Sequence, residues 1–134
     1  MATKVPRGIR NNNPLNIRIG NTWLGEVPRP TDSDFEQFVS MKYGLRAAFV
    51  ILRRYIRRYN RNTPAKIIRA WAPSSENNTK NYINVVCKRS NILPDEVIKF
   101  EDLDTMVRLV YAMAYMECGV EIPTKTLIEA YLIA

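Results

Sequence analysis

The segment LDTMVRLVYAMAYM, residues 103–116, is the most apolar part of the chain and gives the main indication of its fold. A helix with so little polar surface on any side must be buried among other elements. We therefore predict that this segment is the central helix of a mainly helical domain. Glu117 ends the helix, immediately before Cys118 and Gly119.

The remaining helices are expected to surround this segment. Apolar residues recur at helical spacing from Tyr43 onward and predict a long amphipathic helix. Thr63 is predicted to cap a second helix, which ends before Pro73 because proline disfavours a helical conformation in its predecessor. A third helix is predicted after residues 74–75, and a last one begins at Pro123.

The first third of the chain is predicted to be less regular. Residues 8–25 are rich in Asn, Gly and Pro, which favour turns. Residues 22–27 and 35–39 contain β-branched and aromatic residues and predict an irregular hairpin. The fold class is therefore mainly α (α+β), a single domain over residues 1–134 with a small β-hairpin. Cys87 and Cys118 are interpreted as buried thiols.

The chain is basic, with 20 Lys and Arg against 13 Asp and Glu and a net charge of +7. This charge favours a polyanionic partner such as nucleic acid, anionic lipid or a cell-wall polymer, and does not choose among them. An arginine face from Arg46 to Arg61 on the long helix could bind phosphates, although such a face is usually only solvated. We expect no signal peptide and no membrane span, because no apolar run is long enough.

The absence of histidine restricts the chemistry. It excludes Ser/His and Cys/His catalytic pairs and removes the commonest zinc ligand, so we expect carboxylates to act as acid and base, with no metal and no organic cofactor. A glycosidase needs a carboxylic acid in a partly apolar cleft, where burial raises its pKa. Glu117 fits this requirement as a general acid, and the helix C-terminus raises its pKa further. The alternative is a solvated helix end.

Other side chains could complete such a site. Asp32, Asp34 and Glu36 lie in or beside the predicted hairpin and are candidates for the second carboxylate, although Asp is also an ordinary turn former. Trp23 and Trp71 could stack on sugar rings or bases, or could simply belong to the core.

The segment GIRNNNPLNIR, residues 8–18, resembles the GIRNNNPxNIR motif of phage virion-associated proteins of the lysozyme-like superfamily. It is also similar to the NNLFGIK-type segment of flagellar-type N-acetylglucosaminidases. The likeness continues through FEQF at 35–38, YGLRAA at 43–48, WAPSSENNT at 71–79 and Tyr82. The resemblance implies a lysozyme-like helical domain.

In those glucosaminidases, and in lytic transglycosylases, the cleft is lined by the Asn-rich loop, the hairpin and a tyrosine on a later helix. The resemblance therefore implies a set of substrate-binding residues, which comprises Asn12, Asn13, Asn16, Trp23, Thr79 and Tyr82. It also makes Glu76 an alternative acid.

The same enzymes carry their catalytic glutamate on a helix before this segment, in an E-S-G context. Only residues 1–7 precede the motif in this sequence. We therefore hypothesise a circular permutation in which MECG at 116–119 replaces that helix end. The hypothesis requires Glu117 to pack beside the Asn11 to Arg18 loop and the hairpin.

The resemblance implies cleavage of peptidoglycan glycan strands, of muramidase, glucosaminidase or lytic transglycosylase type. Without a second carboxylate, a transglycosylase-like route is the simpler chemistry, because one carboxyl can act as acid and then as base. The expected location is the virion or the phage-infected cytoplasm, with the host cell wall as target and other virion proteins as further partners. The alternatives are a non-catalytic virion structural or cell-wall-binding protein and, ranked behind these, nucleic-acid binding.

Overall fold

The computed structural model describes residues 5–134 and is mainly helical, as predicted. Its six helices are α1 (Arg7–Arg10), α2 (Met41–Arg58), α3 (Pro64–Trp71), α4 (Thr79–Ser90), α5 (Leu103–Cys118) and α6 (Thr124–Leu132). None of the helices in this part of the chain is long and apolar enough to cross a membrane.

The predicted hairpin is not confirmed, because residues 5–134 contain only two isolated antiparallel bridges, Arg18 with Phe35 and Glu26 with Phe38. The segment 35–39 is shared between two partners. Its first half pairs with residues 17–19, and its second half pairs with residues 25–27. Neither partner gains enough consecutive backbone hydrogen bonds to form a regular ladder.

Helix α5 is the centre of the domain and contacts α1, α2, α4 and α6. The side chains of Leu109 and Met113 are fully buried. Asp102 caps its start by accepting a hydrogen bond from the backbone N–H of Thr105 at 3.2 Å. The helix ends at Cys118 and is capped by Gly119, whose φ of 68° is left-handed. The central position predicted from the apolar run is confirmed.

The predicted bounds of α3 are confirmed. The Thr63 hydroxyl accepts a hydrogen bond from the backbone N–H three residues later, at 3.2 Å, and the helix ends at Trp71, two residues before Pro73. Helix α4 begins later than predicted, at Thr79, because residues 73–77 form a turn and Asn78 provides the cap.

The Asn-rich loop is held by the side chain of Asn13, which is completely buried. Its Nδ2 donates to the carbonyls of Ile17 and Glu36 at 2.9 and 3.0 Å, and its Oδ1 accepts from the N–H of Ile17 at 2.9 Å. Asn12 and Asn16 adopt left-handed backbone conformations, with φ of 52° and 54°. Asparagine tolerates this conformation better than most residues, which explains the composition of the loop.

The loop also packs directly on helix α2. A Cβ at Gly44 would lie 1.7 Å from the carbonyl oxygen of Asn12, so the two backbones approach too closely for a side chain. Asn12 Nδ2 donates to the carbonyl of Phe38 at 2.9 Å. These contacts fix the loop between α2 and the bridged segment.

Candidate active site

Glu117 lies on the last turn of α5 and faces the Asn-rich loop. Its Oε1 accepts a hydrogen bond from Asn16 Nδ2, and its Oε2 accepts one from the Tyr82 hydroxyl, both at 2.8 Å. Residues from the loop, α4 and α5 therefore meet at one carboxyl group. The contact with Asn16 places Glu117 beside the Asn-rich loop, which is one of the two contacts that the permutation hypothesis requires.

The loop can reach Glu117 because it packs tightly against the end of α5. A Cβ at Gly8 would lie 2.6 Å from the Sγ of Cys118 and 2.7 Å from the Oδ1 of Asn16. The Cys118 thiol donates to the carbonyl of Pro14 at 3.2 Å. Glycine at position 8 thus allows the approach that brings Asn16 to the carboxyl group.

Burial raises the pKa of Glu117 above its ordinary value, and the hydrogen bonds from Asn16 and Tyr82 only partly offset this effect. Burial also raises the pKa of Tyr82 well above its usual range, and the charge of Glu117 adds to the shift. The same two causes raise the pKa of Cys118 to about 11. Tyr82 and Cys118 therefore remain protonated donors at neutral pH.

Glu117 opens onto a cleft of about 350 Å³, here called the Glu117 cleft. Glu76 lies on its exposed rim and is the second carboxylate of its lining within residues 5–134. The other lining residues are Leu15, Asn16, Arg18, Phe35, Trp71, Ala72 and Asn77.

A second cleft of about 540 Å³, here called the Arg54 cleft, adjoins the first and shares Asn16, Arg18 and Trp71 with it. The charged and aromatic residues that line it are Arg18, Trp23, Arg54, Tyr55, Tyr59 and Trp71. The indole Nε1 of Trp71 donates to the carbonyl of Leu15 at 3.2 Å, which fixes the ring between the two clefts. The two adjoining clefts are together called the groove here, with the Glu117 carboxyl in one and Arg54 in the other.

The structure does not bring Asp32 or Asp34 into the Glu117 cleft. Both pair with Arg7, at 2.6 and 3.1 Å. Hydrogen bonds from Arg7 and Asn11 hold the pKa of Asp32 well below its ordinary value, so this carboxylate is a fixed structural anion. Asp34 is exposed beside it.

Glu36 is buried and faces Glu26 instead of the Glu117 cleft. Burial raises the pKa of Glu36 to about 7, and the charge and hydrogen bond of Glu26 contribute further. Its Oε2 has no hydrogen-bond partner within residues 5–134. Glu26 in turn accepts from the backbone N–H of Trp23 at 3.0 Å. No local sequence signal predicted this pair, because the two residues lie ten positions apart in irregular segments.

The substrate-binding candidates separate into two groups. Asn16 and Trp23 line the groove, and Tyr82 contacts Glu117. The other three hold the fold and line neither cleft: Asn12 and Asn13 bind backbone groups of the loop and bridged segment, and the Thr79 hydroxyl donates to the carbonyl of Ala72. Trp23 is only 7% exposed, so little of its ring is open to a ligand in the groove.

The sequence reasoning did not identify Arg18 and Arg54 as groove residues. Two features of the sequence could have suggested these arginines. Arg18 is the last residue of the quoted motif, and Arg54 precedes Tyr55, which belongs to the apolar stripe of α2.

Much of the predicted arginine face is engaged within the chain. The Nε of Arg46 donates to the carbonyl of Ile133 at 3.1 Å, and a guanidinium nitrogen of Arg53 donates to that of Ala134 at 2.6 Å. Arg57 forms an ion pair with Glu101. These contacts reduce the part of the face that is available to phosphates.

No metal site is evident in the described part of the chain. Within residues 5–134, no three Cys, Asp or Glu side chains cluster as a metal ion would require. The polar groups that line the groove are the carboxyls of Glu117 and Glu76, side-chain amides, arginines and the hydroxyls of Tyr55 and Tyr59. The Tyr82 hydroxyl lines neither cleft and contacts the Glu117 carboxyl.

Comparison with known proteins assigns the chain to a class. It is 40% identical over 117 residues to protein P5 of Pseudoalteromonas phage PM2, an alignment that covers 84% of this chain and 71% of that protein. This similarity identifies the class as bacteriophage proteins. The chain belongs to the family of phage protein P5. No protein-family model matches the chain.

Proposed function

We propose that this phage protein cleaves the glycan strands of peptidoglycan, with Glu117 as the general acid. The observation that carries the proposal is the half-buried Glu117 carboxyl, which has a raised pKa and opens onto a groove. A carboxyl group with a raised pKa keeps its proton to higher pH than an exposed one, and it can deliver that proton to a glycosidic oxygen. As part of the same proposal, the domain is a circularly permuted, lysozyme-like one.

The separation of Asp32, Asp34 and Glu36 from the Glu117 cleft favours a one-carboxyl mechanism. In the first step the Glu117 proton moves to the glycosidic oxygen as the bond from that oxygen to C1 breaks. In the second step the Glu117 carboxylate takes the proton of the substrate's own hydroxyl as that oxygen bonds to C1. The product end is an anhydro sugar, and no water is consumed. Hydrolysis would instead require a base for water, for which Glu76 is the available carboxylate.

One observation favours a second candidate, a non-catalytic virion structural or cell-wall-binding protein. Both carboxylate oxygens of Glu117 are already hydrogen-bonded, to Asn16 and Tyr82. A carboxylate so engaged can serve simply to fasten the loop to helices α4 and α5. Under this alternative the groove binds glycan without cutting it.

The test is incubation of wild type, Glu117→Gln and Glu76→Gln with purified peptidoglycan, followed by mass spectrometry of the soluble fragments. Glutamine keeps the size of the side chain and removes the transferable proton. A melting curve for each protein separates loss of chemistry from loss of folding. Glu101→Gln, on the exposed side chain that pairs with Arg57, is the matched control.

Fragments from wild type and Glu101→Gln but not from folded Glu117→Gln would support the proposal. Anhydro ends would then support the one-carboxyl route, and reducing ends would support hydrolysis. Absence of fragments from wild type would overturn catalysis, and co-sedimentation with cell-wall sacculi would then test binding. Equal product from wild type and Glu117→Gln would refute Glu117 as the acid.

A further inference from the structure

The Arg54 cleft differs in charge from the Glu117 cleft. Its lining contains Arg18 and Arg54 and no Asp or Glu, whereas the Glu117 cleft is lined by Glu76 and Glu117. Neither the guanidinium group of Arg18 nor that of Arg54 forms an ion pair or hydrogen bond with another group in residues 5–134. Their guanidinium groups are therefore available to a ligand.

Aromatic rings hold these two guanidinium groups in place. The guanidinium carbon of Arg54 lies 5.4 Å from the ring centre of Trp23, and that of Arg18 lies 5.1 Å from the ring centre of Phe35. Such cation–π contacts restrict the long side chains, so less conformational freedom is lost when an anion binds. The planar guanidinium group is suited to bind carboxylates with two hydrogen bonds.

The two clefts are joined through Asn16, Arg18 and Trp71. A substrate whose reacting bond lies at Glu117 would therefore extend towards Arg54. Glycan rings are mostly neutral, and the negative charges regularly spaced along a peptidoglycan strand include the carboxylates of its peptide branches. The exposed rings of the cleft, such as Tyr59, could cover the apolar parts of such a branch.

We infer that the Arg54 cleft binds the carboxylates of the peptide branches, so that the protein prefers peptide-bearing strands to bare glycan. The inference rests on the proposed function and specifies its substrate. Nucleic acid is the competing polyanion, and the experiment includes it as a separate arm.

The experiment measures dissociation constants by calorimetry for two ligands of equal glycan length. One is a peptide-bearing fragment of peptidoglycan, and the other is the same fragment after enzymatic removal of its peptides. Glu117→Gln, checked for folding, is the background, so that cleavage does not disturb the binding measurement. Cleavage of both ligands by the otherwise wild-type protein is followed in parallel.

We expect at least tenfold tighter binding of the peptide-bearing ligand, since hydrogen bonds between charged groups are among the stronger ones. Arg54→Gln should reduce this preference about tenfold, and added salt should reduce it as well. Arg58→Gln is the matched control, because Arg58 lies on the same helix and lines neither cleft. It should retain the preference.

Equal affinity for the two ligands, with cleavage intact, would overturn the inference and leave the proposed function standing. An equal loss of affinity for both ligands in Arg54→Gln would also overturn it. Tighter binding of a single-stranded oligonucleotide that displaces the fragment would assign the cleft to nucleic acid instead. If neither ligand is bound or cleaved, the proposed function fails and the inference fails with it.

Discussion

Removal of the Tyr82 hydroxyl should raise the pKa of Glu117 by about one unit. The hydroxyl donates to Glu117 Oε2 at 2.8 Å, and Tyr82 is only 4% exposed, so Tyr82→Phe keeps the ring packing and deletes one hydrogen bond. A hydrogen bond to an ionised group contributes about 1.5–3 kcal/mol, and one to a neutral group about 1 kcal/mol. The difference of about 0.5–2 kcal/mol corresponds to roughly one pKa unit.

The assay is a pH titration of the Glu117 carboxyl carbon by NMR, in wild type and Tyr82→Phe. Tyr131→Phe is the control, because it deletes a hydroxyl that donates to the carbonyl of Phe100 at 2.7 Å on another part of the domain. The control should leave the titration of Glu117 unchanged.

The same substitution should also change how the folding stability depends on pH. The pKa of Glu117 is raised in the folded state, so the folded protein binds more protons than the unfolded chain and stability is lost as pH rises through the folded pKa. Tyr82→Phe should therefore be more destabilised at pH 8 than at pH 4. An unchanged or lowered pKa in Tyr82→Phe would refute the assignment of Tyr82 as a donor to the carboxylate.

Two further predictions concern the parts of the fold that support the groove. Gly44→Ala should destabilise the protein by about 3 kcal/mol in urea denaturation, because the new Cβ would lie 1.7 Å from the Asn12 carbonyl oxygen. Helix propensity alone predicts the opposite, a gain in stability of about 1 kcal/mol. Such a gain would contradict the packing of the loop on α2. The pKa of Glu36 is raised to about 7, so wild type should lose stability between pH 5 and pH 8 as this carboxyl ionises beside Glu26. Glu36→Gln should remove that loss. We expect the variant to exceed wild type in stability by about 1–2 kcal/mol at pH 8 and to match it at pH 5. The difference is smaller than the full pKa shift implies, because Glu26 can share the charge. Identical pH profiles would contradict the unfavourable ionisation of Glu36 beside Glu26.

The amino-acid sequence predicted those elements that depend on local interactions. The apolar run 103–116 predicted the buried helix α5, because a helix with no polar face must be enclosed. Thr63 and Pro73 predicted the bounds of α3, because capping and proline sterics act within one turn. Composition alone excluded histidine chemistry and left carboxylates as the candidate acids.

The predictions for residues 22–39 were less successful, because this region depends on contacts between distant segments. β-branched and aromatic residues indicate an extended backbone, but they do not specify the partner with which it pairs. Segment 35–39 divides its hydrogen bonds between two neighbours. Asp32 and Asp34 pair with Arg7, and Glu36 lies beside Glu26 instead of Glu117. Only packing of the whole loop decides this.

The candidate site itself depends on tertiary structure. Asn16 and Glu117 are 101 positions apart and meet at 2.8 Å because Gly8 lets the loop approach the end of α5. The joining of the Glu117 and Arg54 clefts likewise follows from the placement of Trp71 between the loop and α2. Short-range periodicity, capping and composition therefore predicted helices α2 to α6 and the available acids from the sequence alone, but not the short helix α1. Which side chains face one another was decided by the packing of distant segments, which no local pattern encodes.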